Sequence, residues 1–143
     1  MAVSTRFAVA THILAFLASH RDQPQTSEAI AKSAGTNPSV VRRLLCALAE
    51  EGLSTSQLGK GGGAMLAKGP RKISLLDIFN AVEAPALVQP PRSIPDEKCS
   101  VGGNIQPVFE SAVKNAEEAF MAELDAITLK DVVKDIKARR SKK

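Results

Sequence analysis

Two short helical segments joined by the residues GTNP constrain this chain more than any other feature of its sequence. Thr26 or Ser27 can cap the first segment, and Gly35 can end it because glycine readily adopts the left-handed backbone of a helix C-terminus. Asn37 can cap the second segment, and Pro38 follows at its first position, where a missing N–H costs nothing. The sequence therefore predicts two helices connected by a tight turn.

The spacing of small and apolar residues in these helices is that of a helix-turn-helix. Ala31, Gly35 and Val41 stand at the small, turn and core positions of the motif. The second helix repeats apolar residues at helical intervals, which predicts one inward face. This face consists of Val41, Leu44, Leu45 and Leu48.

The segments on either side complete a winged helix-turn-helix. Before the motif, an apolar stripe predicts a first helix through Val3, Phe7, Ala10, Leu14 and Leu17. After it, residues 53–70 lose the helical period, and the glycines of GKGGG at 59–63 suit the tip of a two-stranded hairpin. Ser74 can cap a further helix, and the prolines beyond that helix predict a loop. The predicted fold class is mainly α with a small β-hairpin wing.

A long helix is predicted after Asn104. Its apolar stripe lasts about 23 residues, which corresponds to about 35 Å at the α-helical rise of about 1.5 Å per residue. Such a helix has little of its own domain to lie against, so we expect it to pack on the same helix of a second chain. Thr128 and Asp131 form a capping-box pattern, which predicts a last helix at 129–138 and then a basic tail. The stripe consists of Ile105, Val108, Phe109, Ala112, Val113, Ala116, Ala119, Phe120 and Leu124.

These elements divide the chain into three parts. We assign residues 1–83 to a winged helix-turn-helix domain, 84–103 to a linker loop, and 104–143 to a dimerisation helix, a short terminal helix and a basic tail. Charge is distributed unevenly, because residues 1–72 carry nine Lys or Arg against four Asp or Glu and residues 73–136 carry five against eleven. The basic first half is a candidate polyanion-binding surface.

Composition argues against several classes of protein. No run of about 18 apolar residues and no N-terminal signal pattern occurs, so we expect a cytoplasmic protein without membrane contact. Cys46 and Cys99 match neither a zinc pattern nor a disulfide framework, which predicts no metal site. Cys46 fits a small buried packing residue better than a thiolate favoured by nearby arginines. No nucleophile with a neighbouring histidine and acid is visible, so we expect no enzymatic activity.

The outer face of the second motif helix carries the candidate DNA contacts. If its apolar residues point inward, Ser39, Arg42 and Arg43 lie at or near the outer face, which can enter a major groove. Arginine suits guanine edges or phosphates, although these two arginines could also be ordinary solvated charges. Lys60 at the hairpin tip would reach the DNA backbone or the minor groove. The residues that suit phosphate contacts are Thr36, Asn37 and Ser39.

Four stretches together carry a resemblance to a known family: RFAVATHILAFLA, AIAKSAGTNPSVVRRLLCALAEEGL, GKGGGAMLAKGPRKISLLDIFNAVE and CSVGGNIQPVFESAV. The chain resembles the Rrf-two (Rrf2) family of bacterial transcription regulators, the IscR, NsrR and CymR type, and the last stretch resembles its YwnA-type branch. The resemblance implies a homodimer, formed by crossing of the long C-terminal helices, that binds an inverted-repeat operator in double-stranded DNA and usually represses. The DNA-facing positions that it implies include Arg6, Thr36, Ser39, Arg42, Arg43 and Lys60.

The cysteines depart from the pattern of family members that bind a cluster. Those members hold an iron-sulfur centre with three evenly spaced cysteines at the start of the long helix, and here these positions are Cys99, Ile105 and Ser111. Thiolates ordinarily hold such clusters, and isoleucine has no donor atom. We therefore predict no iron-sulfur cluster and no other cofactor. Cys99 is then either an oxidisable thiol or an incidental cysteine.

The sequence as a whole predicts a DNA-binding transcriptional regulator that acts as a homodimer. A signal would change the spacing of the two recognition helices through residues 85–103. Its trigger could be an oxidant at Cys99, an unidentified small-molecule effector near the domain junction, or nothing. Two alternatives stay open: a thiol-based redox-sensing regulator that acts through Cys99, and a winged-helix protein-interaction module that does not bind DNA.

Overall fold

The computed structural model describes residues 4–84 and 86–142 and contains, within them, six α-helices and one β-hairpin. Three predicted features lie outside the described residues: Val3 of the first helix, Pro85 of the loop and Lys143 of the basic tail. The helices are α1 (Arg6–Ser19), α2 (Ser27–Ala34), α3 (Pro38–Glu50), α4 (Leu75–Val82), α5 (Ile105–Asp125) and α6 (Leu129–Arg140). The strands are β1 (Ser54–Gln57) and β2 (Gly63–Leu66), and a short 3-10 helix spans Pro70–Lys72. The predicted fold class is confirmed.

The turn between α2 and α3 forms as its local sequence predicts. The Thr26 hydroxyl accepts a hydrogen bond from the Ala29 N–H at 3.1 Å, and the Asn37 side chain accepts one from the Val40 N–H at 3.0 Å. Each side chain thereby satisfies an amide that the first helical turn leaves unpaired. Gly35 has a φ of 70°, a left-handed conformation that costs glycine little. The predicted caps and the predicted turn are confirmed.

Helix α1 is the centre of the hydrophobic core. It is apolar around most of its circumference, and it contacts α2, α3, α4, α6 and β2. Its buried residues Ala10, Ile13, Leu14 and Leu17 are at most 2% exposed. Burying each large aliphatic side chain contributes about 1.5–3 kcal/mol, so this helix holds the surrounding elements in place. The side chains packed around it include Ile30, Val41, Leu48, Leu53, Ile73, Ile78 and Leu129, all at most 1% exposed.

The wing is attached to the domain at its base. Strands β1 and β2 pair antiparallel, with Ser54 opposite Leu66 and Gln57 opposite Gly63. On the other side of β2, the Ala64 N–H donates to the Gln25 carbonyl at 2.8 Å, and the Gln25 N–H donates back at 3.0 Å. These two bonds connect β2 to the segment before α2, so the wing and the helix-turn-helix share one support.

The C-terminal half of helix α5 anchors it to the domain. Phe120 of α5 makes an edge-on contact with Phe79 of α4 at a centroid distance of 5.5 Å, and Phe79 makes a similar contact with Phe7 of α1 at 5.3 Å. Leu124, near the end of α5, is buried. In the N-terminal half, by contrast, Val108 is 67% exposed and Phe109 is 48% exposed. The apolar stripe predicted for this helix is therefore mostly uncovered within one chain.

Helix α6 returns to the winged-helix body, a contact that the sequence did not predict. The Leu129 N–H donates to the Ile73 carbonyl at 2.8 Å, and the Leu75 N–H donates to the Ile127 carbonyl at 2.9 Å. Thr128 and Asp131 form the predicted capping box, and the Thr128 backbone N–H and hydroxyl hold the pKa of Asp131 below its ordinary value. The three-part division of the chain stays a prediction. Among the described residues, no helix combines the length and the apolar character needed to cross a membrane.

The packing of α6 predicts a large difference between two substitutions in that helix. Leu129→Ala should lower the free energy of unfolding by about 2–5 kcal/mol, because it opens a cavity in the core. Ile136→Ala, at a side chain that is 48% exposed, should change it by no more than about 0.5 kcal/mol. Urea unfolding followed by circular dichroism measures both. Equal effects would contradict the docking of α6 on the domain.

Candidate DNA-binding surface

The outer face of α3 carries exposed polar and basic residues, as its periodicity predicts. Val41 and Leu48 are fully buried on the inner face, whereas Ser39, Arg42 and Arg43 are exposed on the outer one. The buried residues therefore fix which way the arginines face. Side chains at the start of such a helix are the ones that approach base edges when it enters a major groove.

Arg42 is paired with a carboxylate that sequence reasoning missed. Its guanidinium lies 3.5 Å from the carboxylate of Glu28, which stands in the first turn of α2. Both side chains are more than half exposed, so the pair contributes little to stability. The pair arises from the crossing of α2 and α3, and only the supposed helix-turn-helix geometry could have suggested it. A DNA phosphate or guanine edge can replace Glu28 as the partner of Arg42.

Arg6 and Arg43 lie along one shallow groove between α1, α3 and α4. The groove has a volume of about 550 Å³, and both arginines line it. Arg6 also lies 3.8 Å from Glu83, whose second carboxylate oxygen accepts a hydrogen bond from the Phe7 N–H at 3.2 Å. Glu83 thus holds the start of α1, and sequence reasoning did not identify it. The structure brings Arg6, predicted only from the family resemblance, next to the basic face of α3.

The two turn residues have different freedom to contact a ligand. Asn37 uses its carbonyl oxygen to cap α3, which leaves only its amide N–H groups to donate outward. The Thr36 N–H is committed to the Ala31 carbonyl at 3.1 Å, and its side chain is half-buried. Both can donate to a phosphate, Asn37 through its amide N–H groups and Thr36 through its hydroxyl.

The wing tip presents one predicted and one unpredicted side chain. Lys60 is exposed beyond the ends of the two strands. Leu58, also in the tip, is 92% exposed, the largest exposed fraction among the large apolar side chains of the described residues. Its place in the polar stretch STSQLGK is the only sequence signal that could have singled it out.

Cys46 is exposed, so its predicted role as a buried packing residue is wrong. The prediction placed it among the neighbouring apolar residues of α3. The helix instead turns Cys46 away from the face formed by Val41, Leu44 and Leu48. A residue between two inward positions lies on the inner or outer side according to the phase of the helix, which a small neutral side chain does not reveal.

Cys99 lies in a tight turn just before α5. The Gly103 N–H donates to the Cys99 carbonyl at 2.8 Å, and a Cβ at Gly102 would collide with the carbonyl oxygen of Asp96. The backbone N–H groups of Gly102 and then Val101 stabilise the thiolate and hold the pKa of this exposed thiol below its ordinary value. The turn therefore favours the thiolate, which is the reactive form of cysteine.

The residues at the start of α5 do not fit an iron-sulfur cluster. Cys99 is the only thiol among the three positions at which the resemblance places cluster ligands, and Ile105 offers no donor atom. Cys46, the other cysteine of the chain, is on α3. Across residues 4–84 and 86–142, no group of three or more His, Cys, Asp or Glu side chains is arranged to hold a metal ion.

A helix-turn-helix with a wing and a basic outer helix face defines the class of winged-helix DNA-binding regulators. Residues 3–135 match the Rrf2 family, described as "Iron-dependent Transcriptional regulator". The chain belongs to the Rrf2 family of transcriptional regulators, which confirms the resemblance found in the sequence. Because the family and the relatives are transcriptional regulators, the prediction that the protein is not an enzyme is confirmed.

Similar proteins extend over nearly the whole chain. YwnA of Bacillus subtilis (strain 168), which carries the provisional name of HTH-type transcriptional regulator, is 37% identical over 131 residues, or 92% of this chain and 96% of YwnA. The structure of T. potens IscR has a TM-score of 0.73 and 27% identity, and the match covers 95% of this chain and 88% of IscR. A provisionally assigned transcriptional regulator from Lactobacillus plantarum has a TM-score of 0.79 and 25% identity, with coverages of 93% and 90%.

The turn around Cys99 predicts a thiol that reacts at lower pH than an ordinary cysteine. In a Cys46→Ser background, the alkylation of Cys99 by iodoacetamide should reach half its maximal rate at a pH below the midpoint of N-acetylcysteine. A lowered pKa gives this sign, because the thiolate is then present at lower pH. Gly102→Ala should raise the midpoint by displacing the turn, whereas Gly69→Ala, where an added Cβ meets open space, should not. A Cys99 midpoint equal to that of N-acetylcysteine would contradict the proposed thiolate stabilisation.

Proposed function

We propose that this protein binds an inverted-repeat DNA operator as a homodimer and represses transcription there, without an iron-sulfur cluster. The observation that carries the proposal is the exposed face of α3, where Ser39, Arg42 and Arg43 stand on a helix whose opposite face is locked in the core. Occupation of the operator would block access to the DNA beneath it. A protein with this role acts in the cytoplasm, where bacterial DNA is found.

Helix α3 enters the major groove in this proposal. The helix has 13 residues, about 20 Å at the α-helical rise, and a major groove is wide enough to admit it. Arg42 and Arg43 are within the first two turns, where they can reach guanine edges or phosphates. Ser39, Thr36 and the Asn37 amide contact the phosphates that flank the groove.

Arg6 and the wing extend the contact on both sides of α3. Arg6 shares a groove with Arg43, so a phosphate placed there would meet both guanidinium groups. At the wing tip, Lys60 reaches the backbone next to the minor groove. Leu58 beside it offers an apolar contact to the sugars or to a base step, which accounts for its full exposure.

Two protomers pair through α5 in this proposal. The N-terminal half of the helix leaves Ile105, Val108 and Phe109 between 46% and 67% exposed, an apolar surface that an isolated chain leaves in water. Pairing of two such helices around a twofold axis covers this surface and presents one α3 on each side. Two helices related in this way read an inverted repeat when they lie about 34 Å apart.

Cys99 supports a second candidate, a regulator that senses oxidants through this thiol. The specific observation is the backbone turn that favours the Cys99 thiolate directly before α5. Oxidation to a sulfenic acid would change the charge and size of the group at that point. The two candidates share the DNA-binding surface and differ only in whether Cys99 controls it.

The first test is the loss of DNA binding on removal of the α3 arginines. Arg42→Ala with Arg43→Ala should weaken retention on operator duplexes, selected from a random pool, by at least about tenfold, because each good base contact is worth about 1–3 kcal/mol. The slope of affinity against salt should also fall by about 1 for each lost phosphate contact. Fluorescence anisotropy at several salt concentrations measures both quantities.

Two further variants sharpen this test. Arg139→Ala with Arg140→Ala removes the same charge from the exposed end of α6 and should leave specific binding nearly unchanged. Glu28→Gln should tighten binding about twofold to fivefold, because it frees Arg42 from a surface ion pair. If the α3 double variant binds the duplexes like the parent protein, the proposed contact through α3 is refuted. A parent protein that retains no duplex would instead favour the alternative of a protein-interaction module.

The second test concerns the homodimer. Phe109→Glu should convert the protein to a monomer at micromolar concentration, because it places a charge in the apolar face of α5. Ser111→Glu adds the same charge on the opposite side of the helix and should leave the dimer intact. Sedimentation equilibrium measures the mass in solution. A parent protein that sediments as a monomer, or a Phe109→Glu variant that stays dimeric, would refute pairing through this face.

A further inference from the structure

The basic residues of α3 and the neighbouring Arg6 form one surface, which we call the α3 surface. A second concentration of positive charge lies away from it, in a cleft between α1, the 3-10 helix and α6. The cleft has a volume of about 430 Å³. Its other lining residues are small or apolar, including Ala18, Pro70 and Val133. The cations that line it are Arg21, Arg71, Lys72, Lys130 and Lys137, and we call this set the basic cleft.

Among the described residues, no cation of the basic cleft lies within ion-pair distance of a carboxylate, and Lys130 has only a longer-range attraction to Asp131. No Asp or Glu is among the residues that line it. In the part of the chain that the structure describes, the ion pairs join Arg6 to Glu83, Arg42 to Glu28 and Lys114 to Glu118, and none involves a cation of the cleft. The cleft therefore differs from the α3 surface, where two of the arginines already have carboxylate partners.

The walls of the basic cleft are held by the core. Lys130, Val133 and Lys137 lie on one face of α6, at intervals of three and four residues. Leu129 anchors the start of this helix by its full burial and by its hydrogen bond to Ile73, which directly follows the 3-10 helix. Arg71 and Lys72 are thus kept opposite the lysines of α6, and the cleft needs no rearrangement to form.

Charge of one sign in a concave site with an apolar wall produces a strong local potential. Like charges repel one another, and the field is focused where the surrounding protein has a low dielectric constant. An anion bound between α6 and the 3-10 helix would remove this repulsion and stabilise the folded protein. A single negative charge would offset only part of five positive ones.

We propose that the basic cleft binds a small molecule that carries two or more phosphate groups. Its volume is within the range of small-ligand sites, and its concave shape suits such a molecule better than the convex surface of a DNA duplex. Arginine can bind a phosphate through two N–H groups, and the lysines add point charges around it. None of the lining residues belongs to α3 or to the wing tip, so the proposal stands apart from the proposed operator contacts.

Binding in this cleft would couple the ligand to the position of α6. The ligand would contact α6 on one side and the 3-10 helix and Arg21 on the other, and α6 directly follows the proposed dimerisation helix. A ligand that binds only the folded state raises the midpoint of thermal unfolding in proportion to the logarithm of its concentration. This effect can be measured without DNA.

The test uses the full chain with two probes, inorganic tripolyphosphate and adenosine triphosphate, in isothermal titration calorimetry and thermal unfolding. Sodium chloride at matched ionic strength controls for general screening. Saturable binding of either probe, with a raised unfolding midpoint, is the expected result. Comparable affinities would identify the phosphates as the recognised chemistry, whereas tighter binding of the nucleotide would show that the apolar wall adds contacts. Absence of saturable binding to both would overturn the proposal.

Matched variants locate the site. Lys130→Gln with Lys137→Gln should weaken probe binding at least about tenfold, because charge-assisted hydrogen bonds are lost. Lys134→Gln with Lys142→Gln removes the same charge from exposed positions outside the cleft and should have little effect. The Arg42→Ala, Arg43→Ala variant should bind the probes normally even though its binding to operator duplexes is weakened. If the cleft variant loses DNA binding while its parent binds neither probe, the cleft belongs to the DNA surface and the proposal is wrong.

Discussion

The burial of α1 is the interaction on which the rest of the structure depends. Ile13 and Leu14 are fully enclosed, and the helix is packed on several sides by α2, α3, α4 and α6. A helix that is apolar around most of its circumference must be surrounded, because any uncovered side would expose large side chains to water. The elements that surround α1 carry the functional candidates. The burial of α1 therefore fixes the orientation of Arg42 and Arg43 on α3, and it also fixes the position of α6 opposite the 3-10 helix.

A second constraint is that the apolar surface of α5 is covered only in part by its own chain. The contact of Phe120 with Phe79 fixes the far end of this helix to the domain, whereas Val108 and Phe109 near its start stay in water. Because the anchored half continues rigidly into the uncovered half, any molecule that covers the start of α5 also sets the orientation of the attached domain. That a change in residues 85–103, which include Cys99, would alter the spacing of the recognition helices stays a prediction.

The parts of the fold that could be predicted from the sequence are those with local causes. The Asn37 cap and the Thr128 capping box involve side chains that bond to amides a few residues away, so their spacing reveals them. The Arg42 pair with Glu28 and the hydrogen bond from Leu129 to Ile73 join distant segments, and they depend on how helices cross. Cys46 was misplaced for a related reason, since a small neutral residue carries little information about helix phase.

The two basic surfaces differ in what a polyanion must displace. On the α3 surface, Arg42 has Glu28 beside it and Arg6 has Glu83, so DNA must compete with carboxylates that are already present. A nonspecific contact with a phosphate must break such an ion pair and gains little in return. A well-aligned contact of an arginine with a base edge forms two hydrogen bonds, which offset the loss of the ion pair. The cleft has no acidic lining residue, so no carboxylate there competes with a bound phosphate. Its selectivity must come from its shape, which admits a compact ligand with closely spaced charges and disfavours a long, stiff duplex.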